Sequence, residues 1–434
     1  MTRSLVRFAA SCLVAVVVGG AGSTPRSSTG ASPQLPAPES ALIPALNFSS
    51  HEAWPKGNTP VAPKGFTISR YASLDHPRWM YVLPNGDVLV SQARTIRKAD
   101  ETLRDRFEVF LQRKTNVVGQ SPNRITLLRD SNKDGVVDQT FDFLSVGLDR
   151  PFGMLLLNGR FYVADTGSVR VYPYREGQTA ITAAGKKILD LPVGGYNNHW
   201  TRNLLARADG KKIYVTVGSG SNAGEHGVEN EKHRANVLEI NPDGTGLRIF
   251  ASGIRNPNGL AYEPQTGALW TVVNERDFLG PDLVPDYLTR VRDGDFYGWP
   301  WAYWGKHADA QVTPARADLV AKSLTPDYAL GAHVAALGLA FYTGDAFAAR
   351  YQGGAFIGEH GSWNRTPAVG YKVAFVPFKN GMPSGPPEDF LTGFTPKDGV
   401  SYGRPVGVVM APDGALLVAD DTGGVIWRVG VKKP

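Results

Sequence analysis

One phrase, written six times, limits what this chain of 434 residues can fold into more than any other feature. It is a short apolar strand, a turn holding Asn/Asp-Gly or Gly, and a second apolar strand. The copies are WMYVLPNGDVLVSQ around Gly86, FGMLLLNGRFYVAD around Gly159, RNLLARADGKKIYVTVG around Gly210, NGLAYEPQTGALWTVV around Gly267, LGLAFYTGDAFAARYQGGAFIGEH around Gly353 and VGVVMAPDGALLVADD around Gly414. A polar turn between alternating apolar runs is a hairpin signal. Its return at intervals of about 50 to 85 residues implies a radial or stacked array. Six such units with no helical repeat fit an all-β fold, a six-bladed β-propeller with inserted loops, whose channel mouth gathers loops from every blade. A pair of β-sandwiches with coincidental hairpins is the competing arrangement. The strand GFTISRYASL (65–74) is placed to complete the last blade and close the ring.

The N-terminus has the pattern of an export signal. Arg3 and Arg7 precede a short apolar stretch, Phe8 to Val18, that ends in small residues. This run is too short to span a bilayer, and no later run approaches a transmembrane helix. The expected organisation is a signal peptide over 1–22, a disordered Ser/Pro/Ala-rich linker over 23–45, and a propeller over 46–434, in an exported chain that is periplasmic or secreted. Cys12, the single cysteine, lies inside the apolar stretch. Most of that stretch follows it, which disfavours lipoprotein anchoring, and a chain cleaved after residue 22 has no disulfide or catalytic thiol. The net charge of +6 is spread without a long basic run, which argues against nucleic acid and suits an anionic small molecule or an anionic membrane surface.

Several side chains stand where a propeller mouth would gather them. His199, flanked by Asn198 and Trp200 in YNNHWTRNL, precedes the inner strands of the third unit; imidazole is the usual base for taking a hydroxyl proton near neutral pH. Arg255 and Asn256 hold the equivalent place in the fourth unit, and Arg404 in the sixth. Arg365 and Lys372 follow the fifth unit's strand. Guanidinium forks suit carboxylates, so cations converging on one mouth imply a polyanionic ligand, with an inter-blade salt bridge as the plainer use of Arg255. Separately, Asp130, Asn132, Asp134 and Asp138 around Gly135 match the start of an EF-hand-type calcium loop, although its twelfth position is Phe141. In the long insertion from Asn274 to Gly305, Asp277, Asp282 and Asp286 can hold a second calcium, and Trp299, Trp301 and Trp304 can wall a sugar or quinone site.

From about Gly65 onward the chain resembles the soluble PQQ-dependent sugar dehydrogenases, most closely their sorbosone dehydrogenase-like branch. The matching phrases are PRWMYVLPNGDVLVSQ, NNHWTRNL, DGKKIYVTVGSGSN, SGIRNPNGLAYEP, DGDFYGWP, LGLAFYTGDAF and GRPVGVVMAPDGALLVADD, of which SGIRNPNGL and DGDFYGWP are the most specific. The resemblance implies a six-bladed propeller that binds PQQ and calcium and oxidises a sugar or sugar-derived aldehyde to a lactone or acid, passing electrons to an unknown acceptor. It implies His199 as catalytic base and Arg255 and Asn256 as residues that hold PQQ beside the substrate, Arg255 also stabilising charge on the quinone oxygen. Arg404 would bind a PQQ carboxylate. Gln92, Asn198 and Trp200 fall among substrate contacts, and backbone carbonyls near Arg276 and Asp277 would hold the calcium. The family's lysine partner for PQQ has no clean match, leaving Arg365 or Lys372. The glucose-oxidising branch carries a second arginine where Val406 stands and an Asp where Asn198 stands, which points to a substrate other than glucose. Two other functions fit a propeller: a calcium-dependent hydrolase of the lactonase type, and a non-catalytic glycan- or partner-binding module.

Overall fold

The computed structural model describes residues 28–39, 46–96, 110–193 and 197–432. The expected signal segment lies outside them. Six four-stranded antiparallel sheets stand as blades around a ring. The first consists of Pro77–Val82, Val88–Gln92, Arg124–Arg129 and Gln139–Leu144, in that order from the axis outward. The next five begin with the inner strands Met154–Leu157, Leu204–Ala206, Asn256–Tyr262, Ala336–Phe341 and Pro405–Met410. Neighbouring inner strands touch in ring order, and the sixth meets the first. The ring closes because the outer strand of the sixth blade is Phe66–Ser73, paired antiparallel with Val425–Val431. The six-bladed propeller and the closing strand therefore stand as expected.

All six turn glycines of the repeated phrase have positive φ, from 68° at Gly210 to 92° at Gly86. That conformation is nearly free for glycine and strained for other residues, which is why the phrase keeps one. A second glycine series lies on the inner strands. A Cβ on Gly153 would sit 2.7 Å from Arg202 O, one on Gly259 2.7 Å from Leu339 N, and one on Gly407 2.7 Å from Arg78 O. In each case the obstacle is the backbone of a neighbouring inner strand, so the missing side chain sets how closely blades converge at the axis. Trp79 stands at this position in the first blade and packs at a tilt on Phe152, 5.1 Å between ring centroids.

The core is a series of layers between blades. Leu155, Tyr162 and Val169 of the second blade pack with Ile213, Val215 and Leu238 of the third. Met80, Val88 and Leu128 pack with Leu417 and Ile426 across the closure. Because every blade is covered on both faces, the second strands read as unbroken buried runs, such as Val88–Gln92 and Ile213–Val217, instead of alternating.

The described part of the proposed linker differs from the disorder expected of it. Gly30 bridges Ala329 on the outer strand Tyr328–Ala332 of the fourth blade, Leu35 packs against that blade's core, and Glu39 N donates to Leu279 O. An outer strand offers unpaired backbone groups, and an extended Ser/Pro-rich chain can take them. Among the described residues no helix is long and apolar enough to cross a membrane.

Candidate active site

In each blade the residues before the first strand and those after the second reach the same end of the ring. A cavity of about 1470 Å³ opens there, lined by Arg150, Asn198, His199, Trp200, Asn222, Arg255, Glu275 to Phe278, His333, His360, Trp363, Asn364 and Arg404, among others. Of the residues expected at the site, the cavity gathers Asn198, His199, Trp200, Arg255, Arg276, Asp277, Asp286 and Arg404.

His199 is oriented by the loop after the second strand of its own blade. Its Nδ1 lies 2.9 Å from Ser219 O and 3.0 Å from Ser219 Oγ. The Ser219 hydroxyl donates to Ser221 O at 2.6 Å, so both groups facing Nδ1 are acceptors. Nδ1 therefore carries the proton, and Nε2 is the nitrogen that can accept one. The loop is held by Glu231, whose carboxylate accepts from Gly220 N at 2.7 Å, Ser221 N at 2.9 Å and Ser221 Oγ at 2.5 Å. A Cβ on Gly218 would overlap both His199 Cβ and the Asn256 side chain, so glycine there lets the imidazole sit against the wall.

Arg255 is a keystone of the floor. Its Nε donates to Asn222 O at 3.0 Å, Nη1 to Glu275 O at 2.5 Å and Asn274 O at 3.4 Å, and Nη2 to Asn222 Oδ1 at 2.8 Å and Asp277 Oδ2 at 3.1 Å. All five N–H groups are thus engaged within the protein, and the expectation that Arg255 is a cofactor ligand meets a guanidinium already spent on loop carbonyls. Asp277 also accepts from Asn364 Nδ2 at 2.9 Å and lies 3.4 Å from His333 Nδ1. Burial would raise the Asp277 pKa, but the His333 contact and the charges of Arg255, His333 and His199 bring it down to about 2. His333 is buried, which opposes its charging, yet Asp277 lifts its pKa above the ordinary value.

On the far blades, His360 Nε2 lies 3.0 to 3.1 Å from both oxygens of Asp421, which also pairs with Arg78. Burial is the main cause holding the His360 pKa down to about 4; Arg404 and Arg78 add to it against the pull of Asp421. Arg404 donates through Nε to His360 O at 2.8 Å and through Nη2 to Gly361 O at 2.9 Å and Tyr371 Oη at 3.0 Å. Its Nη1 has no hydrogen-bond partner among the described residues, and Arg404 is one of the residues lining the cavity.

Other expected site residues lie elsewhere. Gln92 donates to Asp75 O and accepts from Thr126, inside the first blade. Asn256 sits behind the wall with its Oδ1 buried and unpartnered. Arg365 pairs with Asp282 at 2.7 Å, and Lys372 pairs with Asp389 at 2.5 Å on the third strand of its blade. Neither cation lines the cavity, because each has a carboxylate within reach outside it. Trp299 donates to Asn222 O at 2.9 Å, Trp304 packs on Tyr287, and Trp301 lies beneath Arg316. The cavity's aromatic surface comes instead from Phe48, Phe278, Trp200 and Trp363.

The two calcium expectations fare differently from the histidine. In the Asp130 loop the oxygens turn onto the loop itself: Asp130 accepts from Asp134 N and Gly135 N, Asn132 from Asp134 N, Asp134 from Val136 N, and Asp138 from Ser131 N and Oγ. This is a self-satisfied polar turn on an outer hairpin. At the cavity floor, the Asp277 carbonyl accepts from Arg276 Nε at 3.0 Å, Arg276 Nη2 at 2.9 Å and Asn222 Nδ2 at 3.1 Å. A guanidinium seated on that oxygen does not fit a cation site. Asp286 accepts from Glu275 N and Ala335 N, and burial raises its pKa to about 6. Among the described residues no group of three or more His, Cys, Asp or Glu side chains is arranged to hold a metal.

Ser219, Asn222, Glu231, His333, His360, Asn364 and Asp421 were missed from sequence. A signal was present: His360 and Asp421 follow second strands, as Glu275 does, and aligning the six phrases end to end places all three at one end of the ring.

Residues 169–362 match the model of the Glucose / Sorbosone dehydrogenase family, and residues 308–432 match a TrAA12-like model. These matches make the chain similar to the soluble PQQ sugar dehydrogenases. It is 31% identical over 175 residues to the Aldose sugar dehydrogenase YliI of Escherichia coli K12, a match spanning 40% of this chain and 42% of that one. An uncharacterized protein of Borreliella burgdorferi is 29% identical over 351 residues, covering 76% of this chain and 89% of the relative. In fold, the chain is similar to the PQQ domain of the Pyranose Dehydrogenase from Coprinopsis cinerea, with TM-score 0.68 and 19% identity over 87% of this chain and 98% of that one.

Proposed function

We propose that the chain is an exported dehydrogenase that oxidises a sugar or sugar-derived aldehyde with PQQ, His199 acting as the base. One observation carries the reading: an imidazole whose Nδ1 is tied to Ser219 and whose Nε2 is the basic nitrogen, set in the wall of a large polar cavity. PQQ, when bound, supplies a quinone that takes up two electrons. The cavity suits such a polyanion in size, and Arg404 and Arg150, the latter paired with Asp149, are among its lining residues. Nε2 of His199 takes the proton from the substrate hydroxyl, or from an aldehyde hydrate, as hydride leaves the adjacent carbon. Asn198, on the cavity wall, offers an amide group to other hydroxyls. Arg255 fixes the loops bearing Asn222 and Asp277 and so acts by positioning.

The test is reconstitution of purified chain with PQQ, with and without calcium, followed by quinone absorbance and dye-linked oxidation of aldoses and 2-keto-aldehydes. Binding with turnover supports the reading; no spectral change overturns it. His199→Ala should retain PQQ absorbance and lose turnover by about 10²- to 10⁴-fold. The lactonase alternative calls for a metal held by carboxylates, and the acid at the floor, Asp277, is paired with Arg255 and Asn364.

A further inference from the structure

The cavity has one wall that the dehydrogenase reading leaves unused. Residues just ahead of the propeller form a strap across its rim. Asn47 N donates to Trp363 O at 2.8 Å, Asn47 Nδ2 to Arg365 O at 3.0 Å and Asp398 Oδ1 at 3.0 Å, and Ser50–His51 pairs in parallel with Val400–Ser401. Anchored on both sides, Phe48 stacks on Trp363 with ring centroids 5.5 Å apart and planes 21° from parallel. Phe278 meets the same Trp363 edge-on at 6.0 Å. All three rings are half-buried and line the cavity, whose remaining wall is rich in amides and imidazoles. An aromatic shelf beside hydrogen-bonding groups matches a sugar ring, which has an apolar C–H face and a hydroxyl edge. At about 1470 Å³ the cavity exceeds the ~300–1,000 Å³ usual for one small molecule, which leaves room for a substrate beside a cofactor. The strap lies outside both matched family segments, 169–362 and 308–432.

We propose that Phe48, carried by the strap and extended by Trp363, forms a subsite for the outer ring of a substrate with two or more sugar rings. This deepens the dehydrogenase reading and names its substrate class: an oligosaccharide or glycoside in preference to a free monosaccharide. One ring occupies the His199 end, and the next lies with its C–H face on the aromatic shelf.

The full chain is titrated by calorimetry with glucose, cellobiose, maltose and lactose, with PQQ absent and present, and then assayed by dye-linked oxidation. At least one disaccharide should bind more tightly than glucose. Phe48→Ala should weaken that disaccharide about tenfold while glucose changes less than about twofold. Phe48→Tyr should restore it, and Phe48→Leu, which keeps the strap's packing without a stacking face, should fall between. In turnover, Phe48→Ala should raise KM for the disaccharide and leave kcat in place. The proposal is overturned if no disaccharide binds more tightly than glucose, if neither sugar class binds, or if Phe48→Ala weakens both classes equally. If the wild type shows no dye-linked oxidation, the redox reading fails alone and the calorimetry still decides on the subsite.

Discussion

Glu231→Gln is the most informative single change, because Glu231 touches no part of the cavity chemistry directly. Its carboxylate accepts three hydrogen bonds from the 219–222 loop, two from backbone N–H groups and one from the Ser221 hydroxyl. Glutamine keeps the shape but offers one oxygen, and its NH₂ would face the Gly220 N–H as donor against donor. One buried N–H then loses its partner, at about 1–3 kcal/mol, and the others pass from a charged acceptor to a neutral one, at about 1 kcal/mol together. The sum, about 2–4 kcal/mol, falls on the loop that supplies Ser219 to His199 and Asn222 to Arg255. If the loop's order is what presents the base, kcat/KM should fall about 30-fold or more, at about 1.4 kcal/mol per tenfold. The histidine ¹⁵N resonances should show His199 losing its fixed Nδ1–H form. The melting temperature should drop less than a global loss of that size would demand, since the strain is local. Full activity with unchanged histidine resonances would refute the chain of reasoning from Glu231 to Ser219 to His199.

Other outcomes follow from the same geometry. Glu359 is buried with Oε2 unpartnered, and burial pushes its pKa up to about 8, with Lys372 opposing and Asp389 and Asp286 adding to the rise. Such a carboxyl stays protonated in the folded chain while the unfolded one ionises, so it lowers stability as pH rises from about 4.5 to 8. Glu359→Gln should therefore raise the melting temperature at pH 7.5 and leave it unchanged at pH 4.5. Asp421→Asn strands Arg78 and His360 beside a neutral amide and should cost about 3–5 kcal/mol in denaturant unfolding. Gly407→Ala drives a methyl into the Arg78 carbonyl and should cost about 1–3 kcal/mol or more by the same measurement. Gly353→Ala, at a hairpin turn with open space and φ of 69°, should cost only about 1 kcal/mol.

The fold was legible because its unit is local. A turn glycine with positive φ and two apolar runs can be read from a dozen residues, and Gly86 to Gly414 mark every blade. The site was legible only in part. His199 and Arg404 could be placed because each precedes an inner strand. Their partners could not, because the Ser219 carbonyl, the Glu231 carboxylate and the His360–Asp421 pair depend on where loops lie and not on what they contain. The Asp130 loop reads two ways for the opposite reason: its spacing suits an ion, and the same oxygens also satisfy the turn's own N–H groups. The tryptophans of the insertion misled because aromatic density describes a core as well as a binding wall, and Trp304 went to the core.

The pairing of Phe66–Ser73 with Val425–Val431 means that the first propeller strand waits for the last. A growing chain can stack five blades in order, yet the outer strand of the sixth, made first, has no strand to pair with until Val425–Val431 is made. Until then Phe66 can pack only on Phe347, Tyr351 and Phe390 of the fifth blade, and Val431 and Val429, the pairing partners of Phe66 and Ile68, are missing. Ring completion therefore carries a loop-closure entropy spanning nearly the whole polypeptide, and it comes last. A fragment ending before Val425 should behave as an open arc that exposes an apolar sheet at each end, prone to pair with a second fragment or with itself.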